Sequence, residues 1–248
     1  MANPSGSLTG LPVLYGADIY DNDATQKFAL GSLAYGYGGN KAYRYGRNNA
    51  STASVAGNLQ VAATVAANHV NQVVDVAAAI NAMQVEVNLG ATAAAKDLYA
   101  EGELCINDAT GEGISYRVVG NDAIDSSGIG TIFLGEPIQI ALVADTSEFS
   151  LVKNPWDGFV ISVTDQSDQP VGVANKIITA SYYGFLQTRG LCSVLADEAF
   201  AVGVAVVCGS SVAGSLEAQD TDETFAQVGI ANQVAVDTEH YLVYLTID

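Results

Sequence analysis

Basic residues are scarce in this chain. Nine Lys and Arg stand against 27 Asp and Glu in 248 residues, a formal charge of −18. Nucleic acid and anionic membrane surfaces are bound through dense Lys and Arg, so this balance excludes both as partners. Histidine is scarcer still: His69 and His240 are the two, far apart in sequence. They supply a multi-imidazole metal centre only if both converge, and no Cys pair has zinc spacing. Cys105, Cys192 and Cys208 are odd in number, widely spaced and set in apolar stretches. They read as small buried hydrophobes, not as a disulfide framework. No apolar window reaches the ~18 residues that cross a bilayer as a helix. Met1-Ala2-Asn3-Pro4-Ser5-Gly6-Ser7 lacks the basic segment and apolar run of a secretory signal, so a soluble product made in a cytoplasm is expected.

Motifs that carry chemistry are also missing. There is no Gly-x-Ser-x-Gly elbow and no Gly-Lys-Ser or Gly-Lys-Thr, and Gly111-Glu112-Gly113 lacks the third glycine of a dinucleotide loop. Two acidic clusters, Asp18/Asp21/Asp23 and Asp220/Asp222/Glu223, depart from the calcium-loop pattern and read as solvated loop charges. Asn49-Ala50-Ser51 fits the glycosylation sequon, which has no use without secretion. The expectation is a non-enzymatic protein with no catalytic, cofactor-binding or metal-binding residues.

What is present is organised unevenly. Residues 1–56 carry four bases (Lys27, Lys41, Arg44, Arg47) against three acids, and six of the twelve tyrosines. Large aliphatics are few there and glycines many, as in Gly36-Tyr37-Gly38-Gly39. Such a segment contributes little burial for a high ordering entropy. It is read as an extended arm whose Tyr and Arg meet another protein surface, these being residue types enriched in interfaces.

Residues 57–95 are rich in Ala and Val. Val70, Val73, Ala77 and Ile80 have helical spacing, whereas Val74/Val76 and Val85/Val87/Leu89 alternate as strands do. The strand reading, a hairpin turning near Asn81 and ending at Gly90, is preferred. From Glu101 onward short β-branched or aromatic runs alternate with turn clusters such as Asp125-Ser126-Ser127-Gly128. Gly184–Gln187 and Leu191–Leu195 read as two strands, and Tyr241–Ile247 as the last. The fold class is therefore mainly β with little helix. The expected layout is an arm (1–56), a first β-sandwich or barrel domain (57–150) and a second (151–248), divided near Pro155 and Gly158.

The last hundred residues carry a pattern of their own. Pro170-Val171-Gly172-Val173-Ala174 is followed by Ile178-Thr179-Ala180-Ser181-Tyr182-Tyr183-Gly184-Phe185-Leu186-Gln187-Thr188-Arg189-Gly190. Then come Ala201-Val202-Gly203-Val204-Ala205-Val206, Val228-Gly229-Ile230-Ala231 and Tyr241-Leu242-Val243-Tyr244-Leu245-Thr246-Ile247. This scheme resembles the capsid decoration (cement) and related virion structural proteins of tailed bacteriophages. The resemblance implies a compact β-barrel, a homotrimer on the outer face of the head, and the major capsid protein as partner. It brings no catalytic residues. An extra β domain and an aromatic arm set this chain apart from the smallest decoration proteins. Under this reading Tyr35, Tyr37, Tyr43, Arg44, Tyr45 and Arg47 are the expected partner contacts, and removal of residues 1–47 should leave a folded body. A tail, head-fibre or baseplate protein, and an acidic calcium-dependent adhesin, are the alternatives left open.

Overall fold

The computed structural model describes residues 18–36, 39–164, 169–220 and 225–248. Among them the regular structure is strand, apart from 3-10 turns at Asp18–Tyr20 and Ala67–His69. The mainly β class is as the sequence predicts. No helix among these residues is long and apolar enough to cross a membrane. In chain order the strands are β1 (Leu33–Tyr35), β2 (Ala42–Asn48), β3 (Leu59–Val61), β4 (Gln72–Val73), β5 (Gln84–Asn88) and β6 (Glu103–Asp108). Next come β7 (Ser115–Asn121), β8 (Ile129–Leu134), β9 (Glu148–Val152), β10 (Asp157–Ile161) and β11 (Pro170–Ala174). The series ends with β12 (Tyr183–Leu195), β13 (Ala205–Cys208), β14 (Leu216–Ala218), β15 (Gly229–Ala231) and β16 (His240–Thr246).

The chain forms two compact units. One is the continuous stretch Thr64–Asn154, and the other joins the described residues up to Ala63 to Pro155–Asp248. The expected boundary near 150 thus falls at Asn154/Pro155. The expected boundary at 56/57 does not separate units: β2, inside the presumed arm, is a strand of the same sheet as β12.

In the continuous unit six antiparallel strands run in the order β4-β9-β6-β7-β8-β5. A bridge from Val74 to Val87 brings the two ends together, making a nearly closed barrel. Alternation drives this arrangement. In β7, Tyr116 and Val118 point inward while Arg117 and Val119 face water. Tyr116, Phe149, Leu104, Ile106, Leu151 and Ile132 fill one core. The strand reading of 57–95 holds here: Val74 pairs with Val87, Asn81 takes the left-handed turn (φ 70°) and Gly90 (φ 69°) ends the segment. Gly128 is required twice over, by its φ of 84° and by the Gly90 backbone, 2.6 Å from where a Cβ would stand.

The second unit has a ten-stranded sheet that closes on itself twice. β2 pairs with β10, β10 with β3, β3 with β11, β11 with β12, and β12 with β2 again. Phe159, Val171, Ala174, Ile178 and Leu186 pack together as one core cluster. The second cycle runs β12-β16-β15-β13-β14 and returns through a bridge between Leu216 and Ala196, the residue after β12. Val194, Val206, Leu216, Val243 and Leu245 lie in its core. β12 serves both cycles, meeting β2 over Tyr183–Arg189 and β16 over Arg189–Leu195. The two strands read from sequence are therefore one strand of 13 residues. Gly190 does not break it. With φ at 86° and the Asn40 carbonyl against its α-carbon, this glycine turns the strand from one cycle into the next.

Candidate functional site

The six expected partner contacts are largely spent inside the chain. Tyr37 lies outside the described residues, and Tyr35 is half-buried in β1. Tyr43 and Tyr45 are buried to 2% exposure, which corrects the expectation that they meet a partner. The reason is that β2 is flanked by β1, β10 and β12 and is buried on both faces, its tyrosines completed by aromatics from elsewhere in the unit. Tyr45 packs edge-on to Phe28 with ring centres 5.3 Å apart, stacks on Tyr183 at 5.9 Å and meets Phe185 at 5.0 Å. Its hydroxyl accepts the Lys27 backbone N–H at 3.0 Å. Burial pushes the Tyr43 hydroxyl up to about 12 and that of Tyr45 upward as well.

The two arginines hold the same unit together. Arg44 donates to both oxygens of Asp248, at 2.8 and 3.0 Å, and to the Gly31 carbonyl, and its guanidinium lies 5.2 Å from the centre of the Trp156 ring. Arg47 donates to both oxygens of the nearly buried Asp157, at 2.6 and 3.0 Å. Asp21 and Asp23, read as solvated charges, pair with Lys27. Asp222 and Glu223 lie outside the described residues. Among the described residues no group of three or more His, Cys, Asp or Glu is placed to hold a metal ion.

His69 is a packing residue. It is buried, its Nε2 donates to the Thr92 carbonyl at 2.8 Å, and its Nδ1 meets the Tyr99 hydroxyl. With Nε2–H fixed on a carbonyl, Nδ1 is the acceptor and the Tyr99 O–H the donor. Both polar atoms of the ring are thus satisfied, as a buried imidazole requires.

The exposed features lie elsewhere on the two-cycle unit. On β16, Tyr241, Val243 and Leu245 point inward, yet the outward Leu242 and Tyr244 are apolar too. Leu191 of β12 stands opposite Tyr244, which stands opposite Ile230 of β15, so three large side chains about 40% exposed form one row across three strands. A water-facing strand surface is ordinarily polar. The signal was legible in sequence, because Tyr241–Ile247 is apolar on both of its faces.

Beside this row is a hollow of about 490 Å³. Leu191 and Leu242 form an apolar wall, and Tyr20, Lys41 and His240 supply polar ones. Its floor is stiff. Gln187, fully buried, donates to the carbonyls of Arg189, Gly190 and Leu191 and accepts from Asn175 at 2.8 Å. The Cys192 thiol points to Asn175 Oδ1, and burial pushes it up to about 12. It is therefore held protonated and unreactive. The His240 ring sits directly on Gly57, whose positive φ (80°) and missing Cβ leave the space for it. This arrangement presents a cation and apolar surface to whatever enters. It suits binding. Comparison with protein-family models, with curated proteins and with solved structures gives no match for this chain.

Proposed function

We propose that this chain is a non-enzymatic structural protein of a tailed-phage virion that decorates the capsid exterior, binding adjacent major capsid protein subunits and copies of itself. The observation that carries this reading is the outward row Leu191–Tyr244–Ile230, apolar surface with no use on a free particle in water. Covering it with a partner removes apolar area from water at about 25 cal/mol per Å². The resemblance of about residues 150–248 to decoration proteins supplies the virion setting. Repetition on a lattice makes modest contacts cumulative, since each tethered neighbour raises the effective concentration of the next.

The test is cosedimentation of the purified protein with expanded phage heads lacking their decoration. Replacing Leu191 and Tyr244 together by Lys should lower head occupancy at least tenfold while thermal unfolding stays within a few degrees of wild type. Undiminished occupancy of the double variant, or no binding by the wild type, overturns the proposal.

A further inference from the structure

We propose that the hollow beside Leu191 and Leu242 is a site for a small carboxylate-bearing ligand, with Lys41 as the recognising cation. This inference does not rest on the virion reading: Leu191 belongs to both the row and the hollow, and the ligand is tested on the free chain.

Lys27, Arg44, Arg47 and Arg117 each reach a carboxylate. Lys41, half-buried just before β2, takes part in no ion pair among the described residues, as is also true of Lys96, Lys176 and Arg189, and of these it is Lys41 that lines the hollow. None of the residues lining the hollow is Asp or Glu. A cation partly removed from water interacts more strongly with an anion than one in bulk solvent, so Lys41 in a hollow lined by no acid favours a negative group. The lysine is also placed, since its stem packs against Gly190, where a Cβ would stand 3.2 Å from its Cγ.

The rest of the hollow selects the class of anion. One ammonium, with the His240 imidazole also lining the hollow, matches a single carboxylate; a phosphate is ordinarily met by an Arg fork or a run of backbone N–H groups. Leu191 and Leu242 give the carbon skeleton an apolar surface, while the Tyr20 hydroxyl offers a hydrogen-bonding partner. The volume, about 490 Å³, falls within the ~300–1,000 Å³ of small-molecule sites.

Isothermal titration of the full chain with glutarate, glucuronate and glucose tests this. At least one of the two acids should bind with a millimolar or tighter Kd, and glucose at least tenfold more weakly. Tighter binding of glucuronate marks a sugar acid as the source of the carboxylate, and tighter binding of glutarate a simple dicarboxylic acid. Lys41→Met keeps the packed stem and removes the charge, and should weaken the acid at least tenfold; Lys41→Arg should restore most of the loss. Should the variant unfold, the wild type decides alone: raising NaCl from 20 to 300 mM must weaken the acid severalfold. No heat from either acid up to 50 mM, glucose binding as well as the acids, equal affinity in a folded Lys41→Met, or affinity indifferent to salt overturns the proposal.

Discussion

Arg47 and Asp157 carry the clearest residue-scale consequence. Their bidentate pair joins β2 to β10 within the first cycle, and Asp157 is almost without solvent while Arg47 is over a third exposed. Arg47→Ala removes the bidentate partner of a nearly buried carboxylate, which costs several kcal/mol in a dry site and less where water or other groups reach that carboxylate. A loss of about 2 kcal/mol is expected from urea unfolding, and a loss below about 0.5 kcal/mol would show the pair to be idle. Asp248 gives a pH dependence. Burial pushes its carboxyl up, but the Arg44 guanidinium and the Thr188 hydroxyl outweigh that and hold it below its usual range. A depressed folded pKa contributes stability that is present above the unfolded value and lost as pH falls through the folded one. The stability gap between wild type and Arg44→Met should therefore narrow between about pH 5 and pH 2; a gap constant over that range counts against it. The misreading of Tyr43 and Tyr45 belongs to this scale as well. Their partners Phe28, Tyr183 and Phe185 are invisible to a local window. Aromatic residues among glycines fit an interface and a long-range core equally well.

At the scale of elements, most strands were legible because alternation and turn chemistry are local. The runs at Ile114–Val119 and Thr131–Leu134 became β7 and β8 for that reason, and Asp125–Gly128 became a turn because Ser127 bonds back to the Asp125 carboxylate. Legibility failed at β12 and β2. A positive-φ glycine ordinarily punctuates, and only the pairing of both halves of β12 with different neighbours reveals that Gly190 keeps the strand going. Gly190→Ala should cost about 1–3 kcal/mol, because it adds left-handed strain and a contact with the Asn40 carbonyl. A variant as stable as wild type would mean that Asn40 moves aside freely. β2 makes a stronger claim. It contacts β1, β10 and β12, so removing residues 1–47 deletes a wall of the first cycle. The truncated chain should lose the cooperative unfolding of this unit, seen as vanished near-ultraviolet dichroism from Trp156. Unchanged thermal unfolding of the truncated protein would restore the arm as a separate body.

For the whole molecule, charge sets the condition dependence. A formal −18 means self-repulsion, which added salt screens within roughly 10 Å at 0.1 M. The midpoint of thermal unfolding should rise by several degrees between 20 and 300 mM NaCl, and a falling midpoint would show that ion pairs dominate instead. Sequence composition announced this charge but not the division of the chain. Pro155 begins one segment of the two-cycle unit, whereas the other limit, at Ala63/Thr64, lies in an Ala/Val stretch with no turn residue to betray it. The order of synthesis follows from that division. A ribosome finishes Thr64–Asn154 long before it makes the closing strand His240–Thr246, so the nascent barrel can fold while β2 and β3 wait for partners encoded roughly 100 to 140 residues later. Translation arrested near residue 200 would leave one protease-resistant core and an unfinished remainder, and for the interval between, the early strands are the stretch most in need of a chaperone.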